Sequence, residues 1–358
     1  MTNSGRMNNI KIDDFRQKML KWYDKHQRAL PWRVDNRAKP RPPANPYHTW
    51  LSEIMLQQTT VVTVAPYFEK FISKWPTVHD LAKASQDEVM HEWAGLGYYA
   101  RARNLHKCAQ MVSAELDGAF PQDQEGLEKL PGIGEYTSAA VRAIAFGRTA
   151  NVVDGNIERI MARLYAVMKP LPDCKAELKR LAGALSEGRE DRPGDYAQSL
   201  MDLGAGICTP KSPKCALCPV NDLCQAYAQG MAEDLPVRKV KKAKPQKHGY
   251  VYWVSNSDGE ISFERRDDSE MLGGMLGLPT SQWVLSSEKI KKWPKSVDKR
   301  QFITHSFTHF DLKLHIYSLK FKKGMKSPQN NPIWVSLSEI EDLGLPTLFK
   351  KVALLMTA

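Results

Sequence analysis

Two clusters in this chain combine residue types and spacings that could do chemistry. The first is Leu130-Pro131-Gly132-Ile133-Gly134-Glu135-Tyr136-Thr137, followed twenty positions after Gly134 by the carboxylate of Val152-Val153-Asp154-Gly155-Asn156. Pro131 ends one helix, while Gly132 and Gly134 permit positive φ and place no Cβ between the backbone and an approaching group. A second helix, Thr137 to Phe146 with Gly147 beyond it, then starts with unpaired N–H groups and a dipole that favour an anion such as a phosphate. The second cluster is Cys208, Cys215, Cys218 and Cys224, separated by six, two and five residues. Four thiolates on one short loop stiffened by Pro210, Pro213 and Pro219 suit a metal site better than disulfides in a reducing compartment. Spacing alone leaves a [4Fe–4S] cluster and zinc equally open.

The elements that must position these residues follow from patterning. From Ile12 to about Gly230 the apolar residues recur at helical spacing, predicting helices over Asp13–Lys25, Thr49–Thr60, Val61–Lys74, Ser85–Trp93 and Ala100–Leu116, then the hairpin and further helices to Met201. Between Arg238 and Lys247 lie six Lys or Arg with Pro245 among them, a solvated connector. Beyond it the period becomes two. Tyr250–Ser255 and Ile261–Arg265 flank Asn256-Ser257-Asp258-Gly259 as a hairpin, Leu312, Leu314 and Ile316 alternate with polar residues, and Leu337–Met356 reads as a closing helix. The second half is therefore α/β. It shows no Glu-rich metal-binding helix and reads as a recognition domain.

Composition bounds the partner. A net charge of +11 with 42% hydrophobic residues describes a globular protein drawn to a polyanion, nucleic acid or an acidic membrane surface. No apolar run is long enough to span a bilayer, and Met1 to Ile10 lacks the apolar stretch of a signal peptide, so the chain reads as soluble and intracellular. Cys108 and Cys174 stand alone as core or surface thiols.

The hairpin, Asp154, the cysteine loop, Leu51-Ser52-Glu53-Ile54-Met55-Leu56-Gln57-Gln58-Thr59 and Gly95-Leu96-Gly97-Tyr98-Tyr99-Ala100-Arg101 together resemble the MutY family of adenine DNA glycosylases, over nearly the whole chain. The resemblance implies a multidomain protein. An all-α helix-hairpin-helix DNA glycosylase domain would span 11–229, with the hairpin at about 125–147 and a [4Fe–4S] loop over 208–224 held by the four cysteines. A basic linker would occupy 230–247, and a C-terminal α/β Nudix-like domain, 248–358, would recognise 8-oxoguanine. The implied activity is base excision repair: hydrolysis of the N-glycosidic bond of adenine mispaired with 8-oxoguanine or guanine in double-stranded DNA. The implied state is a monomer in the bacterial cytoplasm at the nucleoid, or in the nucleus or mitochondrion of a eukaryote.

The resemblance also assigns roles. Taken alone, Glu53 reads as a surface carboxylate on the side of its helix away from Leu51, Ile54 and Met55; by resemblance it is the general acid. Asp154 reads alone as a helix cap; by resemblance it stabilises the oxocarbenium-like sugar, with Asn156 orienting that chemistry. Tyr136 stands where bifunctional relatives carry a Schiff-base lysine and cannot form an imine, which points to a monofunctional enzyme. DNA contacts fall to Gly132, Ile133 and Gly134, to Gln57, Gln58 and Tyr98, which would fill the gap left by the extruded adenine, and to Phe307, Thr308 and His309 in the recognition domain. Two departures are visible: Leu276-Gly277 where the family commonly has Trp-Glu, and Thr308 where it has Ser. The rival readings are a bifunctional endonuclease III-like lyase and a non-catalytic iron–sulfur DNA-binding protein.

Overall fold

In the helical half, short polar residues set where several helices begin. The computed structural model describes residues 11–188, 190–240, 243–286, 301–321 and 331–357. Helices α1 (Ile12–His26), α2 (Pro46–Leu56), α3 (Val61–Lys74), α4 (Val78–Lys83), α5 (Gln86–Glu92) and α6 (Ala100–Glu115) precede the hairpin pair α7 (Gln124–Glu128) and α8 (Glu135–Phe146). They are followed by α9 (Gly155–Leu164), α10 (Lys175–Ser186), α11 (Pro193–Gly206) and the single turn α12 (Gln225–Ala228). Asn45 caps α2, with Pro46 as its first helical residue, Thr60 caps α3, Ser85 and Glu88 form a capping box on α5, and Asp123 caps α7. Each side chain satisfies an otherwise orphaned N–H, worth ~1 kcal/mol. α8 ends on Gly147, whose φ of 61° is the left-handed stop that glycine adopts without strain.

The core beneath the hairpin gathers Phe15 and Met19 of α1, Ala139, Ala140 and Ala143 of α8, Ile157, Ile160 and Met161 of α9, and Leu200 and Leu203 of α11. The alanines of α8 allow α11 to approach so closely that a Cβ on Gly194 would meet the Ala143 carbonyl at 2.7 Å. These packed faces hold the ends of α2, α8, α9 and α11 around one cavity.

By packing, the chain divides into one unit of 1–82 with 107–240 and a second of 83–106 with 241–358. In the second unit the strands are β1 (Gln246–Ser255), β2 (Ile261–Arg265), β3 (Leu276–Gly277), β4 (Gln301–Ser306), β5 (Asp311–Lys320) and β6 (Ile333–Val335). They form a mixed sheet in the order β3-β2-β1-β5-β4, with β6 also pairing β2. β1 runs parallel to β5 along its full length, Gln246 opposite Asp311 to Ser255 opposite Lys320, and antiparallel to β2 across the expected hairpin. Val251 and Trp253 face one core with Leu312, Leu314 and Ile316, while Tyr250, Tyr252 and Val254 face another. The two sides of β1 are thus both covered, as a central strand requires.

The single closing helix expected over Leu337–Met356 is two pieces. A 3₁₀ segment, Leu337–Leu343, ends at Gly344 in the left-handed region, φ 61°, and α13 (Thr347–Thr357) starts after Pro346, which cannot continue a preceding helix. α13 packs Leu348, Phe349 and Val352 on the sheet. The Leu276-Gly277 departure has a packing role: a Cβ on Gly277 would sit 2.5 Å from the Phe349 ring. Of the basic connector, Lys241 and Lys242 lie outside the described residues.

Candidate active site

Four elements deliver the chemical groups to one cavity of about 690 Å³, lined by Glu53, Gln57 and Gln58 at the end of α2, Tyr136 and Thr137 at the start of α8, Asp154 and Asn156 at the start of α9, and Gln198 and Met201 of α11. Glu53 is buried, which corrects its reading as a surface carboxylate. α2 is covered on nearly every side, with Tyr47 and Thr49 to Met55 all buried, so the side opposite Leu51 and Ile54 faces the cavity rather than solvent. The Tyr136 hydroxyl donates to Glu53 Oε2 at 2.8 Å. Burial pushes the Glu53 carboxyl up to about 7; the Tyr136 hydrogen bond opposes that rise, the Asp154 charge adds to it and Arg33 opposes it. Burial next to Glu53 and Asp154 also raises Tyr136 well above a normal phenol, so it stays a hydrogen-bond donor.

Asp154 both caps its helix and faces the cavity. Oδ1 accepts the Ile157 N–H at 2.8 Å, closing α9, and Oδ2 accepts the Asn156 side-chain amide at 2.8 Å. Asn156 Oδ1 in turn accepts from Arg159 Nη2 at 2.8 Å. Gly204 of α11 leaves the room Asn156 occupies, since a Cβ there would lie 2.6 Å from Asn156 Cβ. Arg159 also donates to the carbonyls of Gly204 at 2.8 Å and Cys208 at 2.7 Å, so a continuous hydrogen-bonded path joins Asp154 to the cysteine loop.

At the hairpin turn the two glycines differ. Gly132 has φ 79°, a conformation that favours glycine, but Gly134 is extended, with φ −106° and ψ −176°, which any residue can adopt. What Gly134 provides is space, because a Cβ there would meet nothing within 4 Å. Ile133 is buried and its N–H donates to the Leu130 carbonyl. The donors left to face an anion are therefore those of the first turn of α8, which has no side-chain cap. Gln57 donates from Nε2 to Thr137 Oγ1 at 3.2 Å. Gln58 and Tyr98 have φ of 59° and 49°, uncommon for side-chain-bearing residues, and both are exposed.

Cys208, Cys215, Cys218 and Cys224 line one small cavity with Ile160, Leu164 and Leu203, and all four are free thiols. The buried Arg163 guanidinium reaches Cys208 Sγ at 3.3 Å, the Thr209 carbonyl at 2.8 Å and the Leu235 carbonyl at 2.9 Å, fixing the loop from inside. In the second unit Thr308 and His309 are exposed and Phe307 half-buried, with the Phe307 ring against Trp283 and Phe310. Thr308 Oγ1 and Tyr98 Oη share a hydrogen bond of 2.7 Å.

Comparison with known proteins gives this arrangement its family. The chain is 33% identical to an adenine DNA glycosylase of Buchnera aphidicola subsp. Schizaphis graminum, over 94% of this chain and 97% of that one. It is 31% identical to that of Homo sapiens, over 95% and 73%. The chain belongs to the adenine DNA glycosylase family. Family models for the HhH-GPD superfamily of base excision DNA repair proteins, the iron–sulfur binding domain of endonuclease III and the NUDIX domain match residues 51–183, 208–224 and 250–355. Among solved structures, a thermostable thymine-DNA glycosylase superposes with TM-score 0.52 at 31% identity, covering 61% of this chain and 97% of that one. A non-covalent endonuclease III–DNA complex gives TM-score 0.51 at 25% identity, covering 62% and 97%.

Membership makes the chain a DNA glycosylase of base excision repair that hydrolyses N-glycosyl bonds, and the choice left open between zinc and iron–sulfur falls to a [4Fe–4S] cluster. The residues fit that group: four unbridged thiols meet around one apolar cavity, and burial pushes Cys218 up to about 12, a penalty that binding a positive metal centre offsets. No helix among the described residues is long and apolar enough to cross a membrane.

Sequence reasoning missed part of the cavity. Arg28, Trp32 and Arg33 line it from the loop before α2. Asp202 of α11, buried, accepts from Arg28 Nε at 2.6 Å and from Arg33 Nη1 at 2.8 and 2.7 Å. Nothing local in Arg28–Arg33 marks them, because their partner is about 170 residues away. Gly204 and Arg159 had a weak signal: a glycine in a helix interior, and a basic residue one turn after Asn156.

Proposed function

We propose that this chain is a monofunctional adenine DNA glycosylase that removes adenine opposite 8-oxoguanine or guanine. One observation carries the chemical part: two carboxyl groups from distant parts of the chain meet in one cavity, one poised to donate a proton near pH 7 and the other oriented by two fixed donors. Adenine leaves poorly as an anion. Glu53 delivers its proton to adenine N7 as the glycosidic bond breaks. Oε2 is engaged by Tyr136, so the transferable proton belongs on Oε1, and the same Tyr136 bond stabilises the carboxylate that remains. Asp154, its two oxygens directed by Ile157 and Asn156, stabilises the electron-poor sugar until water adds to it. Among the described residues no lysine lines this cavity, and Tyr136 offers no amine, so water completes the reaction.

Cys208, Cys215, Cys218 and Cys224 would hold the cluster, which would supply a cross-link to the loop that Arg159 and Arg163 grip. Recognition is assigned to the remaining residues. The first turn of α8 after Gly132-Ile133-Gly134 takes a phosphate, and Gln57, Gln58 and Tyr98 fill the stack when adenine is extruded, a step that is easiest at a mismatch. Phe307, Thr308 and His309 read the oxidised base. The protein acts as a monomer, with 11–229 carrying the chemistry, 230–247 the linker and 248–358 the recognition.

The test is single-turnover base release from A:8-oxoguanine, A:G and A:T duplexes, with a parallel borohydride trap. Release should be fastest for A:8-oxoguanine, and little covalent complex should form. Efficient trapping would replace this reading with a lyase; equal release from A:T would remove the mispair assignment.

A further inference from the structure

The basic connector is not simply a solvated tether, because its last residues are built into the hairpin that carries Thr308. Lys244 Nζ donates to the Phe307 carbonyl at 2.8 Å and to Ser306 Oγ at 3.2 Å. Next along the chain, the Pro245 carbonyl accepts the Asp311 N–H at 3.0 Å, and Lys247 Nζ lies 4.4 Å from the centre of the Phe310 ring. The connector thus meets the turn between β4 and β5 on both sides of Thr308.

The geometry of the peptide bond gives the Lys244 contact its meaning. The Phe307 carbonyl and the Thr308 N–H belong to one planar trans unit and point in opposite directions. The Phe307 N–H is already committed to the Phe310 carbonyl at 2.9 Å, and Ser306 Oγ donates to Asp311 Oδ1 at 2.6 Å. With the Phe307 carbonyl held by an ammonium, a charge-assisted bond, a flip of the plane would break that bond, and the Thr308 N–H is directed away from Lys244.

We infer that Lys244 is a positioning residue for base recognition: it orients the Phe307–Thr308 peptide and thereby sets the preference for adenine opposite 8-oxoguanine over adenine opposite guanine. This rests on the proposal that Thr308 reads the oxidised base. The competing account of a connector lysine is a plain phosphate contact, which strengthens binding to all duplexes alike and steepens the salt dependence.

The experiment uses the full-length, cluster-loaded protein and four variants: Lys244→Met, which keeps the apolar stem, Lys244→Arg, which keeps a donor, Thr308→Val, and the charge control Lys239→Met. Lys239 is a connector lysine paired with Asp173. Single-turnover rates and Kd are measured for A:8-oxoguanine and A:G duplexes at two salt concentrations. Lys244→Met should lower the ratio of the two duplexes ~2-fold, no more than Thr308→Val does, Lys244→Arg should restore most of it, and adding Lys244→Met to Thr308→Val should lower it no further. Equal weakening on both duplexes with a shallower salt slope, as for Lys239→Met, would make Lys244 a phosphate contact and overturn the inference. If Thr308→Val lowers the ratio but Lys244→Met does not, Lys244 alone is misassigned. If Thr308→Val leaves the ratio at the wild-type value, the recognition reading fails and Lys244 falls with it.

Discussion

In the proposed mechanism the cavity around Glu53 and the turn around Thr308 meet different demands with opposite means. Glu53 is buried and bonded to a half-buried tyrosine, while Asp154 has both oxygens committed to fixed donors. Thr308 and His309 are exposed on a turn of a mixed sheet. Moving a proton to a poor leaving group requires a carboxyl that stays protonated near neutral pH, and at Glu53 desolvation is the largest cause of that rise. Reading a base requires hydroxyls and amides that can still reach DNA. The difference teaches that errors in the first region should cost orders of magnitude in rate, while errors in the second should cost small factors in discrimination.

The largest effect tests the acid. Glu53→Gln should bind A:8-oxoguanine DNA and lose at least ~10²-fold in single-turnover release, and Asp154→Asn should be similarly damaged; near-wild-type release by either would remove its catalytic role. Glu53→Gln also reports the cost of burial. A carboxyl raised from 4.5 to about 7 holds its proton more tightly in the folded state, so its contribution to stability is full below pH 4.5 and is lost as pH rises through 7. That loss is on the order of 3 kcal/mol. The stability of Glu53→Gln relative to wild type should therefore improve across that window in denaturant titrations.

The second effect lies between the two regions in size. Gly204→Ala should keep the fold and the iron content while displacing Asn156, which a Cβ would approach to 2.6 Å. Misplacing a group that directs Asp154 should slow release ~10–10²-fold. An unchanged rate would mean that Asn156 has room to move without consequence. Because the same path continues through Arg159 to the Cys208 carbonyl, iron content must be measured alongside.

These residues also mark how far the sequence could be read. The hairpin, the cap at Asp154 and the cysteine loop are local patterns, and their positions in the chain were legible because turns and caps depend on neighbours. The burial of Glu53 was not, since periodicity assigned α2 one apolar side while tertiary packing covers the other. Asp202 with Arg28 and Arg33 was invisible for a related reason: a buried ion pair joined across the fold leaves no spacing signal. The break at Gly344 and Pro346 was legible but outweighed by the apolar run around it. The segment 83–106 packs with the C-terminal residues, through pairs such as Arg265 with Asp87, although the HhH-GPD match runs through it. Truncation near Gly230 would remove those partners too, so point substitutions separate the two regions more cleanly than deletion does.

A subtler handle on the cavity is pH. Release should fall about tenfold per unit above pH 7, because the proposed mechanism makes protonated Glu53 the active form. The Tyr136 hydrogen bond favours the carboxylate and so holds its pKa down. Tyr136→Phe should move the falling limb to higher pH while lowering the plateau. A limb that stays in place or moves down would mean that Tyr136 does not donate to Glu53 during turnover.

The smallest effect belongs to the exposed turn. Thr308→Val keeps the shape and removes one hydroxyl, whose hydrogen bond is worth ~0.5–1.5 kcal/mol net, a factor of ~2–10. In the free protein that hydroxyl is shared with Tyr98, so binding exchanges one partner for another and the loss should fall toward the low end. It should appear as a lower A:8-oxoguanine to A:G ratio with the pH profile unmoved, since Thr308 does not line the cavity that holds Glu53. A shift in the pH limb would show that the turn acts on the chemistry as well as on recognition. An unchanged ratio would leave the turn no part in telling the two bases apart.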